Sequence, residues 1–311
     1  METALVTGGA GFIGSHLCEF LLAGGYKVIC VDNLLTGSKK NVEGLLKNEN
    51  FSFIEADITQ ELPDFGKVDF IFHLASPASP VDYQNYPEET LLANSIGTLN
   101  LLNLAKSAKA KILITSTSEV YGDPKESPQK ETYWGNVNSF GPRACYDESK
   151  RFAEAATYVF LNKHGVDARI IRIFNTYGPK MQKDDGRVVS NFINQAIKNE
   201  TLTVYGDGNQ TRSFCFVSDM VAGIAKAMFS EGTRGEVFNL GNPEEYTMND
   251  FAEKIKKMTG SSSEVVHKES PPDDPKQRRP DISKATEVLG WEPKITVDEG
   301  LQKTIEYYRS L

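Results

Sequence analysis

Short apolar runs with little polar alternation punctuate the chain up to Asn175: 4–7 (ALVT), 27–31 (KVICV), 51–56 (FSFIEA), 69–75 (DFIFHLA), 111–116 (KILITS) and 168–174 (ARIIRIF). Strands of this kind are buried on both faces. Between most of them lie segments of helical character, 12–23, 87–108 and 146–163. The alternation predicts an α/β fold, a doubly wound parallel (Rossmann) sheet covered by helices.

After Asn175 the rhythm loosens into Gly, Pro and Asp clusters at 177–186, 206–210 and 241–245, and a proline-rich stretch, ESPPDDPKQRRPD, covers 269–281. Loops this long in a compact chain usually carry function. Residues 1–175 are therefore expected to form the dinucleotide-binding domain, rejoined by about 213–240 if FCFVSD and VFNLG return to the sheet. Residues 176–311 would mainly make a smaller C-terminal substrate-binding lobe.

A formal charge of -8 over 311 residues excludes a general nucleic-acid or anionic-membrane surface, so an anionic ligand must be held by local groups. Cys18, Cys30, Cys145 and Cys215 are far apart and read as reduced thiols. His16, His73, His164 and His267 lack metal-ligand spacing, and no metal is expected. His73, ending an apolar run, reads as a satisfied core histidine; Trp134 and Trp291 read as packing residues. Without a basic leader or a long apolar run, the expectation is a soluble, cytoplasmic protein.

The first run ends in TGGAGFIGSH, which places Gly8, Gly11 and Gly14 between a strand and a helix. Glycines there allow a tight turn and a close backbone approach to a pyrophosphate, whose charge the helix N-terminus stabilises. Asp32 ends the second run, where a carboxylate accepts from both adenosine ribose hydroxyls and repels a 2′-phosphate. The pattern points to NAD rather than NADP. Asp57 is placed to reach the adenine edge. Phe12, Ile13, Asn33, Ile58, Leu74, Ala75, Ser76 and Asn94 complete the expected cofactor set, with Tyr146 and Lys150 at its reacting end.

YDESK spaces Tyr146 and Lys150 at i and i+4, so phenol and ammonium project from one helix face. A neighbouring cation lowers a phenol's pKa toward a range where it takes a proton from an alcohol.

With TGGAGFIG, HLAS, TSTSEVYG, YDESK, RIFNTYGP, GDGNQTRSFCFVSD and NLGNPEE in place, the chain resembles the extended short-chain dehydrogenase/reductase family of nucleotide-sugar enzymes over essentially its full length. The resemblance implies that Thr117, Tyr146 and Lys150 act together on a sugar hydroxyl. Dehydratases of the family resemble T-D-E where this chain has Thr117-Ser118-Glu119, and serine is too weak an acid to protonate a departing hydroxyl. A sugar acid needs no such donor, because its 4-keto form is a β-keto acid that loses carbon dioxide. T-S-E with HLASPASP, GPRACYDESKR, DDGRVVSNFI, GNQTRSF and QRRPDISKA is similar to members that convert UDP-glucuronate to UDP-xylose.

By the same resemblance Glu119 positions the sugar or a water near C5, and Arg278 orients and stabilises charge at the reacting end. Pro77, Ala78 and Ser79 would meet the carboxylate. Asn175, Arg187, Val188, Asn191, Tyr205 and Arg212 would hold UDP, with Arg212 as the phosphate clamp. The 87–106 and 146–163 helices carry apolar faces, which in this family commonly build a homodimer. The alternatives are a UDP-glucuronate 4-epimerase, a 4,6-dehydratase disfavoured by Ser118, and a silent NAD-binding sensor.

Overall fold

The computed structural model describes residues 1–270, 275 and 277–311. Along the first part of the chain run β1 (Thr3–Thr7), α1 (Phe12–Ala23), β2 (Lys27–Asp32), β3 (Phe51–Glu55) and β4 (Phe70–His73). Next come α2 (Pro80–Asn85), α3 (Pro87–Leu92), α4 (Thr98–Ala108), β5 (Lys111–Thr117), α5 (Ala144–His164) and β6 (Ala168–Ile173). With Val237–Leu240 beside β6, these strands form one seven-stranded sheet in the order Val237–Leu240, β6, β5, β4, β1, β2, β3. Every pairing in it is parallel.

Burial on both faces explains the unbroken apolar runs. Ala4, Val6, Val28, Cys30, Phe72 and Leu113 face one core with α1 and the helix Val217–Phe229, whereas Leu5, Ile29, Ile71, Ile112 and Ile114 face the other with α4 and α5. Neighbouring residues of a strand point to opposite faces, so both must be apolar when helices cover both sides. Strand order reverses between β1 and β4, and a parallel sheet opens a crevice there beyond the carboxyl ends of its strands.

Three expectations need correction. The 87–108 segment is not one helix: α3 and α4 are separated by a π-turn, Ala93–Gly97. Ser95 and Thr98 each donate a side-chain hydrogen bond to the carbonyl four residues earlier, and such back-bonding disturbs the regular ladder. Second, FCFVSD does not rejoin the sheet. Cys215–Phe216 pairs with Thr176–Tyr177 apart from it, and Val217 already opens a helix; VFNLG does return, as the edge strand. Third, Trp134 is 89% exposed in the loop before α5, where its carbonyl rather than its ring is used, accepting from Arg151. Trp291 is buried and donates to the Asp219 carbonyl.

Beyond β6 the strands are short. Thr211–Ser213 pairs with Glu245–Thr247 and with Gln277–Arg278, and Leu202–Tyr205 pairs with Val265–Lys268. The proline-rich stretch at 269–281 falls partly outside the described residues. Cys18, Cys30 and Cys215 are buried free thiols and Cys145 is half-buried. Among the described residues no helix is long and apolar enough to cross a membrane.

Candidate active site

A cleft of about 950 Å³ runs from the glycine-rich loop after β1 to Arg212 and Arg278. Gly8, at φ +69°, approaches the chain after β4 so closely that a Cβ would lie 2.7 Å from the Ala75 nitrogen. At Gly14 a Cβ would sit 2.1 Å from the Gly8 carbonyl, so α1 packs against the loop only because the side chain is missing. Gly11 caps α1 without a side-chain partner for the first-turn amides, and one side of it is open to the cleft. Such a cradle fits a pyrophosphate.

Asp32 is 7% exposed and accepts from the Ala10 and Leu34 amides at 3.0 and 2.8 Å. Burial raises its pKa, and those amides oppose the rise. Asp57 is half-buried, which opposes its charge, but hydrogen bonds from Thr59 and Asn33 outweigh that effect and lower its pKa. Phe12, Ile13, Asn33, Ile58, Leu74, Ala75 and Ser76 line the same cleft. Asn94 does not. Fully buried in the π-turn, it donates to Ser76 Oγ and Ser149 Oγ at 2.9 and 3.1 Å, tying the wall after β4 to α5 from behind.

Thr117 ends β5, and Tyr146 and Lys150 face it from α5. Thr117 hydrogen-bonds the Tyr146 phenol and also accepts from the Glu119 amide at 3.2 Å. The Lys150 ammonium donates to the Thr115 carbonyl at 2.9 Å and lies 5.9 Å from the Tyr146 ring centroid. Burial raises the Tyr146 pKa, opposed by the Thr117 hydrogen bond, while burial lowers Lys150 to about 7, opposed by Glu154. Behind them, His73 bonds Thr7 and Thr98, and burial, with Lys150, lowers its pKa to about 3.

Ser118 and Glu119 follow Thr117 in a short 3-10 turn. Ser118 is buried and lines the cleft. The Glu119 carboxylate is gripped by two guanidinium groups: Arg143 Nη2 donates at 2.5 Å, and Arg278 donates through both Nη1 and Nη2, the latter at 2.9 Å. Burial resists the charge, but Arg278 and Arg143 prevail and lower the Glu119 pKa to about 2. A carboxylate so held is a fixed anion at neutral pH, not a proton carrier.

Arg278 is itself positioned by Gln129, which is fully buried. The Gln129 amide donates to the Arg279 carbonyl at 2.9 Å, its Oε1 accepts from the Arg279 amide at 2.8 Å, and its carbonyl accepts from the Asp281 amide at 2.8 Å. In register, Arg278 lies opposite Arg212 on the neighbouring strand.

Arg212 is buried at the far end of the cleft and donates to the Thr211 carbonyl at 2.9 Å. Asn175, Arg187, Val188, Asn191 and Tyr205 also line it, as do Pro77, Ala78 and Ser79. Ser79 caps α2 by accepting from the Asp82 amide. Arg187 is bound by Asp185, with Nε donating at 2.8 Å and Nη2 at 2.6 Å, so part of its charge is already matched. Sequence reasoning missed Arg143 and Tyr83. Arg143 sits three residues before Tyr146 at the start of α5, a spacing that was the available signal. Tyr83, from α2, lies under Tyr146 and has no comparable sequence mark.

A glycine cradle at the sheet's switch point, with a Thr–Tyr–Lys set gathered from the end of β5 and from α5, defines an extended short-chain dehydrogenase/reductase. Residues 5–304 match the family model described as GDP-mannose 4,6 dehydratase. The chain is 53% identical over 305 residues to UDP-glucuronic acid decarboxylase 1 of Xenopus tropicalis, covering 98% of this chain and 72% of that protein. It is 54% identical over 306 residues to UDP-glucuronic acid decarboxylase 6 of Arabidopsis thaliana, covering 98% and 88%. Among solved structures, the Bacillus cereus UDP-glucuronic acid 4-epimerase, in complex with UDP-glucuronic acid and NAD, superposes with a TM-score of 0.89 at 31% identity, over 99% of each chain. The chain belongs to the GDP-mannose 4,6 dehydratase family and, within it, to the group of UDP-glucuronic acid decarboxylases.

Proposed function

We propose that the protein decarboxylates UDP-glucuronate to UDP-xylose, with NAD as a cofactor that is reduced and reoxidised within each turnover. The observation that carries this reading is Thr117-Ser118-Glu119 beside Tyr146: a hydroxyl stands where a dehydratase needs an acid, and the adjacent glutamate is locked as an anion.

The residues that would hold NAD are Gly8, Gly11 and Gly14 at the pyrophosphate and Asp32 at the ribose. When bound, NAD supplies a hydride acceptor at the sugar's C4 that later gives the hydride back. Tyr146 takes the C4 hydroxyl proton and returns it, with Thr117 holding the same oxygen and Lys150 adjusting local charge. Once C4 is a ketone, the bond from C5 to the carboxylate breaks with its electrons flowing toward the ketone, and C5 is then protonated. Glu119 with Arg143 and Arg278 fixes the charge around C5 and C6. Arg278 is too weak an acid to lose its own proton readily, so it orients a water or the sugar. Arg212, Arg187 and Asn175 would hold the diphosphate, and Val188, Asn191 and Tyr205 the nucleoside.

In this reading residues 1–175, with part of 213–240, form the NAD-binding unit, and the remainder of 176–311 mainly grips UDP. Leu91, Leu92 and Ile96 together with Phe152 and Val159 of α5 are exposed, which supports a homodimer built on these helices. Four free thiols suit a reducing, cytoplasmic setting.

Product analysis by mass after incubation with UDP-glucuronate and catalytic NAD tests the proposal. Carbon dioxide and a UDP-pentose are expected. UDP-galacturonate as sole product would make the protein an epimerase, and no turnover would make it a silent binder.

A further inference from the structure

Behind the Glu119 clamp stands a carboxyl group that none of the steps above uses. Asp147 follows Tyr146 on α5, is 5% exposed and does not line the cleft. Its Oδ2 is 4.0 Å from Arg143 Nε, while its Oδ1 is buried without a hydrogen-bond partner. Arg143 thus stands between two carboxyls, the half-buried Glu119 and the buried Asp147, and is hydrogen-bonded only to Glu119.

We propose that Asp147 is a positioning residue for substrate selection, which sets through Arg143 the charge that the reacting end of the cleft presents to an acidic sugar. The inference deepens the proposed function and rests on it for the identity of that sugar, a nucleoside-diphosphate hexuronate.

The charges around Asp147 come from several elements. Glu119 approaches from the turn after β5, Arg278 from the strand Gln277–Arg278, and Tyr83 from α2; its own helix contributes Arg143, Cys145, Tyr146 and Glu148. Burial and then Glu119 raise the Asp147 pKa to about 7, against the opposing pull of Arg143 and Arg278. Glu119, lowered to about 2, stays ionised throughout the neutral range. With Asp147 protonated, Glu119, Arg143 and Arg278 sum to a single positive charge. With Asp147 ionised the sum is zero, and Arg143 is drawn away from Glu119 toward a second anion. The sugar carboxylate, on the carbon two bonds from C4, must lie close to this cluster when the C4 oxygen meets Tyr146. A cleft with the extra positive charge favours hexuronate over neutral hexose, and that preference weakens as Asp147 ionises.

The test is equilibrium binding of UDP-glucuronate and of UDP-glucose to NAD-loaded Lys150→Met protein between about pH 6 and 8.5. That background stops turnover and removes the titration of Lys150. The ratio of the two affinities is expected to fall about ten-fold as pH rises, the scale of one charge acting through several ångströms of protein. Adding Asp147→Asn should leave the ratio flat; Asp147→Ser is a second uncharged variant if the first fails to bind UDP. A ratio that is flat with Asp147 present, or that falls equally in both uncharged variants, overturns the inference. Failure of the proposed function looks different: the ratio still titrates, but wild-type protein makes no pentose.

Discussion

The ring of Tyr83 lies flat against that of Tyr146, with centroids 5.0 Å apart and planes 7° from parallel. Arg143 sits 5.9 Å from the Tyr83 ring centroid, so the proposed acid–base residue, its stacking partner and one arm of the Glu119 clamp form one layered unit. The Tyr83 hydroxyl is buried without a partner. Tyr83→Phe should therefore change thermal stability little, within about 0.5 kcal/mol, because no internal hydrogen bond is lost. Tyr83→Leu should lower kcat by about ten-fold through a loosened Tyr146. Melting curves and steady-state rates check both; a Leu variant with wild-type kcat would remove the stack from the machinery.

Tyr146→Phe deletes the hydroxyl that Thr117 holds and should reduce pentose formation by about a thousand-fold or more. NAD and UDP binding should persist, since neither the glycine cradle nor Arg212 is touched. Cofactor content and UDP affinity measured alongside activity separate loss of chemistry from loss of folding.

Glu119→Gln leaves the half-buried Arg143 and the buried Arg278 with no anion between them. Breaking a buried pair on one side costs about 3 kcal/mol or more. The variant should melt lower than wild type and be nearly inactive, while UDP still binds. Calorimetry with UDP titration reads both effects, and wild-type stability would contradict the clamp.

Ser118→Asp places a second carboxyl next to Glu119 and close to an incoming sugar carboxylate. KM for UDP-glucuronate should rise by about ten-fold or more, with a smaller change in UDP affinity. Equal performance by the Asp variant would sink the assignment of Ser118.

His73 predicts how the fold responds to acid. Its folded pKa, about 3, lies below the ordinary 6.5, so the unfolded chain binds a proton across that interval and the folded chain does not. Stability should therefore fall as pH drops from 6.5 toward 3, by about 1.4 kcal/mol per pH unit from this group. His73→Gln should flatten that part of the profile in denaturant titrations, even if it is less stable at neutral pH.

The parallel sheet was legible because its strands are buried on both faces, and the apolar runs match β1 to β6 to within one or two residues. The π-turn was hidden because periodicity cannot see side chains such as Ser95 and Thr98 bonding back to their own helix. The candidate site divides in the same way. Gly8, Gly14, Asp32, Tyr146 and Lys150 are local patterns of spacing, and they meet in one cleft. Arg143 and Tyr83 take their significance from contacts across the fold, and the depressed lysine comes from burial, which YDESK does not encode. Asn94 shows the converse: an asparagine expected at the cofactor serves as a strut inside the wall.

Gln129 grips Arg279 and Asp281 across about half the molecule's sequence. A chain cut short before Gln277 would retain the whole glycine cradle and the Tyr146–Lys150 pair but lose one of the two cations on Glu119. Closure around Glu119 therefore waits on the last part of the chain to dock, and two distant parts of the sequence meet at a single carboxylate.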